Sequence, residues 1–243
     1  MDEKSAFINL KGICFGYPGS QPDVIQDLNF TFFRGDRIGL IAPNGSGKTT
    51  LFHIIMGLIQ PTSGVIEIDG REIRKPKDFQ AVRRKIGLLF QDADDQLFSP
   101  TVLEDVSFGP LNLGKSREEA IQISNDMLGF LGLQGFQDRI TFTLSGGEKR
   151  LVALATVLAM EPEVLLLDEP TAGLDLDTKK KLIQVLNRLD LSYIVISHEF
   201  DFITAVTDHA YTMESGKIIL DEELHVHRHE HVHRSGKQPH RHV

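Results

Sequence analysis

The stretch Ile41-Ala42-Pro43-Asn44-Gly45-Ser46-Gly47-Lys48-Thr49-Thr50, "IAPNGSGKTT", follows the apolar run "RIGLIA" and leads into a helical pattern that starts at Lys48. A loop that wraps a phosphate chain turns its backbone N–H groups inward, so residues without a Cβ are needed where the backbone meets the oxygens. Gly45 and Gly47 supply that. Lys48 adds a positive charge for β- and γ-phosphates, Thr49 offers a hydroxyl to Mg²⁺, and the positive end of the following helix lies behind both. The pattern G-x-x-x-x-G-K-[ST] is missed at one place, because Ala42 stands where the first glycine is usual. Alanine is costly there only if the position needs a positive φ, and the expectation is that it does not. On this motif alone, a glycine-rich turn with an incidental lysine stays open.

Working outward, other strand ends carry polar groups of the right kind. "EVLLLDEP" puts Asp168 and Glu169 at the end of a strand apolar at every position, as expected of a parallel strand buried on both faces. One carboxylate there can hold Mg²⁺ and the next can orient or deprotonate an attacking water. Gln91 follows "IGLLF" and His198 follows "SYIVIS". Ligands in open α/β sheets bind beyond the carboxyl ends of the strands, where all of these fall. Each alone reads equally well as an ordinary strand exit, but their joint order favours a nucleotide site.

The 243-residue chain is long enough for one sizeable core, and its 41% apolar and 25% charged residues are ordinary for a globular protein. A net charge of -8 argues against nucleic acid as the main partner. The lone cysteine, Cys14, cannot form an internal disulfide. The first ten residues hold no apolar run of signal length, and "LVALATVLAM", Leu151 to Met160, is far short of the roughly 20 residues a bilayer requires. A soluble chain is expected, held at any membrane by another protein.

"AFINLKGI", "VIQDLNFTFF" and the hairpin-like "GVIEIDGREI", with its Asp69-Gly70 turn, read as an antiparallel β-lobe ahead of an α/β core. From about 92 to 160 strand signals vanish. Thr101, Ser116 and Ser145, each followed three residues later by glutamate, read as capping boxes that start helices of an inserted lobe. The expected division is a folded unit over 1–220 and a low-complexity tail over 221–243.

The segment "LSGGEKR", Leu144 to Arg150, completes a set that resembles the ATP-binding-cassette ATPases over nearly all of the chain up to Leu220. The resemblance implies an α/β P-loop NTPase core with an N-terminal antiparallel β-lobe and an inserted helical lobe. It implies ATP and Mg²⁺ as cofactors. Tyr17 would stack on adenine, and Asn44, Gly45, Ser46, Gly47, Lys48, Thr49 and Thr50 would form the phosphate loop. Gln91 would be the Q-loop glutamine, Asp168 and Glu169 the Walker B pair, Asp175 the D-loop residue and His198 the switch histidine. Thr49, Gln91 and Asp168 would serve Mg²⁺; Glu169, His198 and Gln91 would serve catalysis. Ser145, Gly146 and Gly147 would face the γ-phosphate held by a second copy of the chain, closing a head-to-tail dimer. Glu148 departs from the usual glutamine and would repel phosphate unless its charge is turned back onto the helix start.

Phe90 to Gly114, "FQDADDQLFSPTVLEDVSFGPLNLG", resembles the ATPases of energy-coupling-factor importers, cobalt and nickel types in particular. The implied partners are a transmembrane T subunit and a substrate-binding membrane subunit, at the cytoplasmic face of the cell membrane. Residues Asp94 to Phe98 are placed to convey closure to a T-subunit coupling helix, with core packing of Leu97 and Phe98 as the alternative. Seven of ten histidines lie in "HVHRHEHVHRSGKQPHRHV"; His225, His227, His229, His231 and His233 alternate, and imidazole suits nickel or cobalt. A soluble cassette ATPase uncoupled from transport, or a metal buffer or sensor with secondary ATPase activity, are the alternatives.

Overall fold

The computed structural model describes residues 6–19 and 22–225. Strands β1 (Ala6–Phe15), β2 (Ile25–Phe33), β4 (Ser63–Ile68) and β5 (Arg71–Ile73) form an antiparallel sheet in the order β2-β1-β4-β5. The β4–β5 connection is Asp69-Gly70, both at positive φ (51° and 71°), as a two-residue turn with the right twist requires. The expected β-lobe is therefore present, turn included.

The second sheet has the order β10-β9-β3-β8-β7-β6, built from β3 (Arg37–Ile41), β6 (Ile86–Leu89), β7 (Val164–Asp168), β8 (Ser192–Ile196), β9 (His209–Glu214) and β10 (Lys217–His225). All neighbours are parallel except β9 and β10. Its central strands bury both faces. Val164 and Leu166 of β7, with Ile194 and Ile196 of β8, enter a core shared with the antiparallel sheet and helix α1 (Lys48–Ile55). Leu165, Leu167, Tyr193 and Val195 enter a second core on the other side. That alternation explains why these strands are apolar at every position. The final hairpin carries the fold to His225, past the expected boundary at 220.

The second core is closed by α5 (Gly146–Leu158), α6 (Leu176–Arg188) and α7 (Phe200–Val206); α3 (Val102–Asn112) and α4 (Arg117–Phe130) pack outside α5, while short α2 (Phe79–Lys85) precedes β6. All three expected capping boxes are formed, at Thr101, Ser116 and Ser145. Each satisfies two N–H groups that no helical carbonyl can reach. Among the described residues, no helix is long and apolar enough to cross a membrane.

Candidate functional site

The carboxyl ends of β3, β8, β7 and β6 lie side by side, with Leu40 opposite Ile196, Asp168 opposite Ile196, and Leu89 opposite Leu167. Chain segments that are far apart in sequence therefore reach one cleft of about 720 Å³. Tyr17, Asn44, Gly45, Ser46, Gly47, Lys48, Thr49, Thr50, Gln91, Asp168, Glu169 and His198 all line it.

Gly45 and Gly47 sit at φ 81° and 97°, where a side chain is strained. A Cβ on Gly47 would also come within 3.1 Å of Val24. Ala42 is buried and is not among the positive-φ residues, so the departure from glycine costs the loop nothing in backbone strain. Lys48 is buried along the loop, its Nζ donating to the carbonyls of Ala42 (2.6 Å) and Pro43 (3.0 Å). Tyr17 is half exposed, stands edge-on to Phe15, and shares a hydrogen bond with Thr50 Oγ1 at 3.2 Å.

Asp168 is 2% exposed, and burial pushes its carboxyl above the usual aspartate range against the pull of Thr49 and Lys48. Its Oδ1 is buried without a hydrogen-bond partner. A buried carboxylate oxygen in that state is expensive unless something cationic meets it. With the Thr49 hydroxyl alongside, the donor set is oxygen-only and fits a hard cation such as Mg²⁺. Glu169 is buried in a left-handed backbone conformation, φ 44°, rare for a residue with a side chain. Its Oε2 pairs with Nδ1 of His198 at 2.9 Å, and its N–H bonds Ile196 O at 3.0 Å. The turn thus aims adjacent carboxylates apart, Asp168 at Thr49 and Glu169 at His198.

Ser145, Gly146, Gly147 and Asp175 do not line that cleft. An adjoining depression of about 800 Å³ shares Thr49, Gln91 and Asp168 with it and reaches Gly146. Gly147 is glycine for packing, since a Cβ would meet Thr178 Oγ1 at 3.0 Å. Gly146 has no such reason: a Cβ there would meet nothing within 4 Å, and its φ is not positive. Asp175 is the N-cap of α6, its carboxylate accepting from the N–H groups of Asp177 (3.0 Å) and Thr178 (2.9 Å).

The sequence did not reveal what fastens α5 to the segment after β6. Arg150, 5% exposed, donates to the carbonyls of Phe90 (2.6 Å) and Gln91. Burial lowers the affinity of its guanidinium for a proton, while Asp92 and Asp168 oppose the shift. Lys149 pairs with Asp94 at 2.5 Å, and Gln96 donates to Ala153 O at 3.0 Å. Gln91 is therefore held from the helical lobe. The one signal was two basic residues directly after "LSGGE".

An apolar groove of about 280 Å³ opens between Phe90, Phe98, Phe108 and Met160. Phe98 is 66% exposed and stacks edge-on against Phe108 at 4.8 Å, whereas Leu97 packs into the second core. Core packing therefore holds for Leu97 and not for Phe98. Of the alternating histidines, His225 ends β10, and His227, His229, His231 and His233 lie outside the described residues.

Residues 25–172, more than half of the chain, match the family described as "ABC transporter". The chain belongs to the ABC transporter ATP-binding family. A putative ABC transporter ATP-binding protein of Nitratidesulfovibrio vulgaris is 48% identical over 235 residues, 97% of this chain and 86% of that one. The energy-coupling factor transporter ATP-binding protein EcfA of Methanocaldococcus jannaschii is 41% identical over 88% of this chain and 78% of its own. Among solved structures, cbiO1 of Clostridium perfringens, part of the ABC transporter complex cbiONQ, superimposes with a TM-score of 0.79 at 34% identity, covering 88% and 87% of the two chains. The ABC cassette MJ0796, solved as a dimer, gives a TM-score of 0.78 at 28% identity over 87% and 96%. The cassette is an ATPase whose hydrolysis is coupled to transport.

Proposed function

We propose that this cassette is the ATP-hydrolysing subunit of an energy-coupling-factor importer for cobalt or nickel ions, working at the cytoplasmic face of the cell membrane. Relatives named EcfA and the likeness to cbiO1 support that choice. The groove beside Phe98 and Phe108 fits a short amphipathic segment of a T subunit, with the substrate-binding subunit beyond it. Asp105, which lines the groove, accepts from the N–H groups of Phe98 (3.2 Å) and Ser99 (2.9 Å) and so fixes the backbone that presents Phe98.

The chemistry follows from the cleft. Lys48 and the N–H groups of the glycine loop hold the β- and γ-phosphates, and Tyr17 covers the adenine. Thr49, Asp168 and Gln91 would hold Mg²⁺, which when bound would supply positive charge to offset that of the phosphates. Glu169 orients and deprotonates water, and His198, paired with it, steadies that carboxylate beside the γ-phosphate. The site is completed by Ser145, Gly146 and Gly147 of a second copy, with Asp175 near the seam.

Gly146 is the observation that carries this reading. Glycine in a helical turn costs up to about 1 kcal/mol against alanine, and nothing in the described chain requires it there. Close approach by a phosphate carried on a second copy would account for it. Glu169→Gln should bind ATP with normal affinity and lose turnover by about 10³-fold or more, measured by phosphate release. Wild-type turnover in that variant would remove Glu169 from the role of base, and failure of the chain to co-purify with small membrane proteins would remove the importer.

A further inference from the structure

The departure at Glu148 brings a full negative charge to the first turn of α5, where the N–H groups of Gly146 and Gly147 have no preceding helical carbonyl. Glu148 Oε2 accepts from the Ser145 N–H at 2.8 Å, and the Glu148 N–H donates to Ser145 Oγ at 3.3 Å. A carboxylate fixed so near a helix start would cancel its pull on any anion. Its other oxygen, however, faces a cation: Arg139 Nη1 lies 2.6 Å from Oε1, and Nη2 lies 3.4 Å from Oε2. Arg139 is itself fixed, with its guanidinium 4.2 Å over the Phe136 ring and its N–H on Phe136 O at 2.9 Å. Arg139 hydrogen bonding is the foremost cause holding the Glu148 carboxyl below the usual glutamate range, so the carboxylate stays charged near neutral pH.

Counting charges decides the sign of the site. A helix start is worth about +0.5 of an elementary charge. Adding the Glu148 carboxylate gives about -0.5, and adding the Arg139 guanidinium restores about +0.5. We infer that Arg139 is a positioning and neutralising residue for ATP hydrolysis: it cancels Glu148 so that the start of α5 can receive the γ-phosphate carried by a second copy. This rests on the composite site proposed above. The ion pair has a structural side as well, since it ties the approach to α5, residues 136–139, to the helix itself.

The test compares full-length wild type, Arg139→Ala, Glu148→Gln and the double variant for steady-state hydrolysis and for ATP affinity of the separate chain. Arg139→Ala should lower kcat about tenfold or more while ATP affinity, set by the Lys48 loop, stays within about twofold. Adding Glu148→Gln should return kcat to about that of Glu148→Gln alone. Loss of folding would instead depress ATP affinity in step with kcat; in that event Arg139→Gln, which keeps a donor without charge, replaces Arg139→Ala under the same criteria. Full activity in the Arg139 variant, or a defect that Glu148→Gln leaves in place, overturns the inference. A wild-type chain that binds ATP yet never hydrolyses it breaks the composite site first, and this inference with it.

Discussion

Helix α1 begins at the phosphate-loop cleft and helix α5 at the adjoining depression, and the two starts are built on opposite local chemistry. The α1 start has Gly47 at its cap, no side-chain cap and no acid in its first turn, and takes its charge from Lys48. The α5 start is closed by a Ser145 capping box, carries Glu148 within it and borrows its compensating charge from Arg139. Open donors and a resident cation suit a loop that grips a polyphosphate by itself. A start that satisfies its own ends, yet keeps one sterically needless glycine, suits a surface that meets an anion delivered from elsewhere. On the proposed reading, similar helix-end electrostatics would serve two tasks, and local capping would separate them.

Glycine substitutions strain this contrast hardest. Gly146→Ala should lower hydrolysis about 100-fold while leaving unfolding stability unchanged or raising it by up to about 0.5 kcal/mol, by urea titration. Gly47→Ala should instead destabilise the chain by about 1–3 kcal/mol, because φ is 97° and Val24 is 3.1 Å away. If both behave alike, the two starts are not differently made.

Asp168 probes the cost of keeping the first site charged. Because the folded chain holds its proton to higher pH than the unfolded chain, this residue's contribution to stability falls as pH rises from the ordinary aspartate value, 3.8, through the raised one. Asp168→Asn should therefore be more stable than wild type by about 1–2 kcal/mol at neutral pH without nucleotide, with the gap closing below about pH 4, although hydrolysis is lost. A neutral-pH loss of stability would show that the carboxylate is already compensated.

The smallest effects come from two matched caps. Ser145→Ala and Ser116→Ala remove capping boxes of the same form and should each cost about 1 kcal/mol. Only Ser145→Ala should also slow hydrolysis. Equal activity in the two would reduce Ser145 to a helix cap.

Much of this was legible from the chain. Apolar runs such as Val164–Leu167 announce a sheet buried on both faces, and Thr101, Ser116 and Ser145 mark helix starts through short-range chemistry alone. What escaped depends on contacts between distant residues or on placement at a sheet edge. Strand β9 has exposed positions at His209 and Glu214 and mixed polarity, so no run of strand-forming residues marks it. Arg150 on the Phe90 and Gln91 carbonyls, Thr178 against Gly147, and Arg139 on Glu148 are pairings that no spacing rule predicts. The left-handed φ of Glu169 likewise emerges only when β7 and β8 are side by side and His198 stands opposite.

The most direct test of the composite site is the solution mass of Glu169→Gln with Mg²⁺ and ATP, by light scattering. The account predicts twice the 27.2 kDa chain mass with one ATP retained per chain, returning to 27.2 kDa when ATP is withheld. A strictly 27.2 kDa species that nonetheless holds ATP would contradict it.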